Sequence, residues 1–164
     1  MAGTEPAPLG LAAKILTVST RSAAGEREDL SGPALASRLA EAGFTVIETR
    51  VVPDGRVPVA GALREMCGGF SGVVVTTGGT GFAPSDQTPE GTAEVLDRYA
   101  PGLAEATRSI DPRGRLSRGV AGTVGASLVL NLPGSPGGAV DGLNAVIDVL
   151  PHALALLAGE PGGH

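Results

Sequence analysis

The chain is short of large, soft and positively charged side chains. Among 164 residues there is no Trp, one Tyr and three Phe. The core must therefore be built from Ala, Val, Leu and Ile. Cys67 stands alone, which excludes a disulfide framework and a cysteine zinc site. His152 and His164 are the only histidines, so a histidine-rich metal site is excluded as well. Lys14 is the single lysine among twelve basic residues, and the net charge is −5. That balance argues against general nucleic-acid binding, which needs clustered positive charge. Small phosphorylated ligands remain open, since backbone amides and a metal ion can hold them. No apolar run is long enough to cross a bilayer. Met1 to Gly10 carries no basic residue and no hydrophobic stretch of signal-peptide type, so the expected location is the cytoplasm.

What the chain has in quantity is glycine and proline, 26 and 13 residues. These counts suit many tight loops between strands and helices. The length fits one domain with a proper core. We expect disordered tails at residues 1–12 and 159–164, flanking one domain over 13–158. Strands are predicted at Ala13 to Ser19, Phe44 to Val52, over the valines Val73 to Val75 after Gly72, at Gly119 to Val124 and at Ser127 to Leu132, the last two close enough for a hairpin. Helices are predicted from Ser31 to about Ala42, over Val59 to Met66, from Pro89 to about Tyr99, from Pro101, and over Val140 to Leu150 after a loop at Pro133 to Gly138, with Pro151 kinking or restarting the last before Leu157. Ser31 and Thr88 are the candidate caps. The alternation gives an α/β fold, a single three-layer domain with a mostly parallel, doubly wound sheet of Rossmann-like topology and a short antiparallel hairpin.

The stretch Gly72-Val73-Val74-Val75-Thr76-Thr77-Gly78-Gly79-Thr80-Gly81 organises the rest. Three valines bounded by glycines read as a strand buried on both faces. The glycines after it allow bending and close approach to a ligand. In open α/β sheets ligands bind beyond the carboxyl ends of the strands. The loops at Thr76 to Asp86, Pro53 to Gly55, Pro133 to Gly137 and Ser19 to Arg21 all follow predicted strands and so converge on one rim. Asp54 and Asp86 then lie at the same edge, where two carboxylates can hold Mg²⁺ together with substrate phosphates. Asp29 and Glu26 read as solvated loop charges. Arg118 reads equally as a surface residue, Cys67 as a small buried hydrophobe and His152 as structural.

Thr76 to Gly81 followed by Asp86-x-Thr88-Pro89-Glu90 resembles the signature of the MoaB/Mog family of molybdopterin adenylyltransferases. Asp29-x-Ser31-Gly32-Pro33, Leu116-Ser117-Arg118 and Asn131 to Pro136 stand in the matching order. The resemblance implies transfer of AMP from ATP to the terminal phosphate of molybdopterin, with release of pyrophosphate, in molybdenum cofactor biosynthesis. It implies that Thr76, Thr77, Gly78, Gly79, Thr80, Gly81, Pro133, Gly134, Ser135 and Pro136 line the nucleotide pocket. Asp54 and Asp86 are then the functional carboxylates near Mg²⁺, and Ser117 and Arg118 face the pterin. A homotrimer or homohexamer is implied, as is a molybdenum-insertion enzyme as partner. Two alternatives stay open: a non-catalytic molybdopterin carrier, and a nucleotide pyrophosphatase on the same fold. Thr20 stands where the family often has aspartate. Gly91 stands where alanine is commoner, which weakens the helix start by up to about 1 kcal/mol. The segment between Pro101 and Ser117 is short for the family, and Gly137 lacks the larger side chain of many relatives.

Overall fold

The computed structural model describes residues 11–159. The tails expected at either end fall mostly outside the described residues. Ala12, counted with the first tail, already belongs to a strand.

In chain order the elements are β1 (Ala12–Val18), α1 (Thr20–Ala23), α2 (Ser31–Glu41), β2 (Thr45–Val52), α3 (Arg56–Cys67), β3 (Gly72–Thr77) and α4 (Thr88–Ala93). They continue with β4 (Arg98–Tyr99), α5 (Pro101–Arg108), a 3₁₀ helix (Pro112–Leu116), β5 (Ala121–Val124), β6 (Ser127–Leu132), α6 (Pro136–Asn144) and α7 (Leu150–Leu157). One six-stranded sheet results, in the order β2-β1-β3-β6-β5-β4. The pairs β1–β2, β1–β3 and β3–β6 are parallel, and β5 pairs antiparallel with both β6 and β4.

Because strand side chains alternate between faces, the sheet separates two cores. Ile15, Val73, Val75, Leu128, Leu130 and Leu132 meet Leu35 and Leu39 of α2, Leu143 of α6 and Leu150 of α7 on one side. Leu16, Val74 and Val129 meet Val59, Leu63 and Met66 of α3 on the other, with Val95 and Leu96 packed against them. Every residue of β3 is buried, as its valine run requires.

Several local expectations are corrected. The helix expected from Pro89 to Tyr99 ends at Ala93, and Tyr99 lies in the edge strand β4. The amides of Asp97 and Ala100 donate to the carbonyls of Thr123 and Ala121, and these non-local bonds draw the chain into the sheet. Gly91 is not merely a poor helix former. A Cβ there would stand 2.7 Å from the Arg56 carbonyl oxygen and 2.8 Å from Val59 Cβ, so its bareness is what lets α4 lie against α3. Ser31 and Thr88 are first helical residues rather than caps. Asp29 performs the capping that Ser31 was expected to perform: its Oδ1 accepts from the Gly32 amide at 3.0 Å and its Oδ2 accepts from Thr17 Oγ1 at 2.8 Å. It is thus no free loop charge. The polar stretch from Thr20 contains α1, capped by the Ser19 hydroxyl. The last helix is broken into α6 and α7 by a turn ahead of Pro151.

Candidate functional site

The loops after β1, β2, β3 and β6 meet at the carboxyl rim of the sheet, around a cleft of about 410 Å³. Its walls include Thr17, Asp29 and Ser31 from the β1–α2 side, Asp54 after β2, Thr77, Gly78 and Gly79 after β3, Asp86, and Gly134, Ser135 and Pro136 after β6. This is the switch point of the sheet: α2, following β1, covers one face, whereas α3 and α4 cover the other.

Backbone contacts hold the glycine loop closely. Gly78 and Gly79 have φ of 101° and 68°, the left-handed region that glycine adopts without a Cβ penalty. The Gly78 amide donates to the Leu132 carbonyl, and its own carbonyl accepts from Thr88 Oγ1 at 2.9 Å. Thr77 Oγ1 donates to the Pro133 carbonyl at 2.6 Å, and Ser31 Oγ to that of Gly134, also at 2.6 Å. Ser135 caps α6 by accepting from the Gly138 amide.

The two aspartates occupy this cleft together. Asp54 Oδ2 accepts from the Thr20 amide at 3.1 Å and from Thr20 Oγ1 at 2.9 Å, while the Asp54 amide donates back to Thr20 Oγ1. Asp54 Oδ1 is left facing Gly79, 3.3 Å from where a Cβ on that residue would stand. Asp86 Oδ2 accepts from the Ala83 amide at 3.0 Å. Asp54 therefore spends one oxygen on Thr20 after β1 and Asp86 one on its own loop, and each keeps the other oxygen without a protein donor among the described residues. No cluster of three or more His, Cys, Asp or Glu side chains suited to a metal occurs among the described residues. A cation held here would take its remaining ligands from a substrate, a donor set that fits Mg²⁺.

A second cavity of about 560 Å³ adjoins the first across Ser135. It lies between the 3₁₀ helix and α6, with Ile110, Leu116 and Pro133 beside the bare backbone of Gly137, Gly138 and Gly142. Thr80 and Ser117 also line it.

Most, but not all, of the residues singled out from sequence come together here. Ser117 borders the second cavity. Arg118 does not: its Nε donates to the Gly81 carbonyl at 2.8 Å, its Nη2 to that of Asp86 at 2.7 Å, and its Nη1 to Glu90 Oε1. The Glu90 carboxyl is held below its ordinary range, chiefly by that bond from Arg118, and the Arg118 guanidinium is raised in turn by its bond to Glu90. Thr76 and Gly81 line neither cavity. Thr76 is fully buried, its Oγ1 accepting at 3.0 Å from Asn131 Nδ2, which also donates to Thr92 Oγ1 at 3.0 Å. Asn131 Oδ1 accepts from the Val120 amide at 3.1 Å. This buried amide ties β3, the residue ahead of β5, and α4 together beneath the loop, a structural role that the Asn131 to Pro136 motif did not reveal. Its signal was a polar residue inside an otherwise apolar strand, Ser-Leu-Val-Leu-Asn-Leu.

Comparison with known proteins follows this geometry. Residues 14–152 match the family described as a probable molybdopterin binding domain. The chain is 38% identical over 153 residues to a molybdopterin adenylyltransferase of Helicobacter pylori, covering 89% of this chain and 87% of that one. It is 35% identical to a molybdenum cofactor biosynthesis bifunctional protein of Synechococcus elongatus, covering 94% of this chain but spanning only 50% of that protein's length. Among solved structures, the molybdopterin biosynthesis enzyme MoaB of Thermus thermophilus superposes with a TM-score of 0.86 at 46% identity, over 92% of this chain and 98% of the other.

Proposed function

The chain belongs to the MoaB/Mog family of molybdopterin-binding proteins, and from that membership and the geometry of its cleft we propose that it is a Mg²⁺-dependent molybdopterin adenylyltransferase. The observation that supports this most is the placement of Asp54 and Asp86 in one cleft with the Gly78–Gly79 loop, next to a second, less polar cavity.

In this reading ATP lies in the first cleft, over the glycine loop and Gly134 to Pro136, and the pterin occupies the cavity bordered by Ser117. A terminal phosphate oxygen of molybdopterin forms a bond to the α-phosphorus. The bond from that phosphorus to the bridging oxygen breaks, and its electron pair leaves with pyrophosphate. A phosphate monoester has its second pKa near 6, so the nucleophile is largely dianionic at neutral pH and needs no protein base. That agrees with the inventory, since His152 lies on α7 and among the described residues no histidine lines either cavity. What the chain supplies is alignment of the reacting phosphates by a rigid backbone. Asp54, with one oxygen committed to Thr20, and Asp86, with one committed to Ala83, would hold Mg²⁺ with the other. The bound cation supplies neutralisation of repelling phosphate charge. By the family resemblance the proposal extends to a cytoplasmic homotrimer or homohexamer that passes its product to a molybdenum-insertion enzyme. Among the described residues no helix is long and apolar enough to cross a membrane.

The test is incubation with ATP, Mg²⁺ and molybdopterin, with analysis for the adenylylated pterin and pyrophosphate. Asp86→Asn should fold normally, because an amide oxygen can still accept from Ala83, yet lose about 10²-fold or more of turnover. Unchanged turnover by that variant would remove Asp86 from the proposal. Binding of molybdopterin by the native chain without consumption of ATP would replace the enzyme by a carrier.

A further inference from the structure

The family resemblance placed Arg118 against the pterin. The geometry points instead to Arg118 as a positioning residue, the clamp that holds at the cleft the loop carrying Asp86. This deepens the proposed function and rests on it for its kinetic arm only.

Residues 80–86 belong to no helix or strand, and Phe82, Ala83, Pro84 and Ser85 are exposed. Such a segment has little packing to hold it and would by itself sample many conformations. Arg118 ties it down at three points along its length. Its own amide donates to the Thr80 carbonyl at 2.8 Å, at the start of the loop. Its Nε donates to Gly81 and its Nη2 to the carbonyl of Asp86 itself. The fourth bond, Nη1 to Glu90 Oε1, anchors the same guanidinium to the first turn of α4. A planar fork with donors in fixed directions can make this set at once, which a lysine ammonium cannot. The other constraint on Asp86 is local, from Ala83 within the same loop. Without Arg118, therefore, Asp86 and Ala83 would move together. Glu90 supports the clamp: among the described residues its Oε2 is buried and takes no hydrogen bond, and the one side chain bonded to the carboxylate is Arg118.

The experiment compares native chain, Arg118→Lys and Arg118→Met in three measurements: steady-state adenylyl transfer, Mn²⁺ titration, and amide hydrogen exchange of peptides spanning 80–86. The clamp requires faster exchange in that loop for both variants, with α2 and α6 unchanged. It also requires at least about tenfold weaker Mn²⁺ binding, and a turnover number lower by about 10²-fold, the loss that displacement of a reacting group by about 1 Å can cause. The KM for molybdopterin should stay within about twofold, since the guanidinium does not touch the pterin cavity. A raised KM at unchanged turnover would assign Arg118 to substrate contact and overturn the clamp. So would unchanged exchange over 80–86, or full rescue by lysine. If the native chain transfers no AMP, the enzymatic reading falls, and loop exchange and Mn²⁺ binding still decide the clamp.

Discussion

Replacement of Gly79 by alanine gives the sharpest test of how the glycine loop is built. The residue has φ of 68°, and an added Cβ would stand 2.2 Å from Thr88 Oγ1 and 3.3 Å from Asp54 Oδ1. The left-handed backbone alone costs an L-residue about 1–2 kcal/mol. The contact with Thr88 cannot stand, so its hydroxyl must turn away and give up its bond to the buried Gly78 carbonyl, a loss of about 1–3 kcal/mol. The expected total is about 2–5 kcal/mol, measured as a fall in the urea midpoint at unchanged m-value. Gly125→Ala is the comparator: its φ is 57° but nothing lies within 4 Å of the new Cβ, so only the backbone term of about 1–2 kcal/mol applies. The double variant Gly79→Ala with Thr88→Ala should cost less than the sum of its parts by about 1 kcal/mol, since the offending oxygen is gone. A Gly79→Ala midpoint no lower than that of Gly125→Ala, or strict additivity in the double variant, would refute the close-approach argument.

Two further predictions complete the set. Asn131→Leu should destabilise by about 3 kcal/mol or more, because the Val120 amide and the hydroxyls of Thr76 and Thr92 lose their partner, each unsatisfied group costing about 1–3 kcal/mol; thermal unfolding checks it, and a neutral substitution would sink it. For Glu90 the pH dependence has a definite sign. Its carboxyl is held below the ordinary value of 4.5 in the folded chain, so the stability it contributes is present above that value and is lost as pH falls through the lower, folded one. The difference in thermal midpoint between the native chain and Glu90→Gln should accordingly be largest near neutrality and shrink below about pH 4.5. A constant difference across that range would dissociate Glu90 from Arg118.

The parts of this molecule that could be read in its sequence are those set by neighbours along the chain. Val73 to Val75 bounded by glycines fixed β3 as a buried strand, and Gly78-Gly79 announced the bend after it. Strand–helix alternation then brought Asp54 and Asp86 to one rim without any knowledge of contacts. What escaped depends on partners far away in sequence. Asp29 looked like a surface charge because Thr17, which donates to its Oδ2 from the end of β1, meets it only when the chain ahead of α2 folds back on that strand. The break after Ala93 came from β5, whose carbonyls capture amides that a local reading gave to a helix. Arg118 was expected to face the pterin, and what spacing did not show is that its hydrogen bonds run to the loop ahead of α4. Its four acceptors lie on Thr80, Gly81, Asp86 and Glu90, and spacing along the chain says nothing about which way a guanidinium turns.

The division of the interior into two cores bears on how the site keeps its dimensions. Asp54 leads into α3 and Asp86 precedes α4, both on one face of the sheet, whereas the cavity bordered by Ser117 is walled by α6 on the opposite face. Whatever occupies the two hollows must meet across the rim of β3 and β6. The spacing between their guests is therefore set where the hollows touch, at Ser135, whose hydroxyl is pinned by the Gly138 amide at the start of α6.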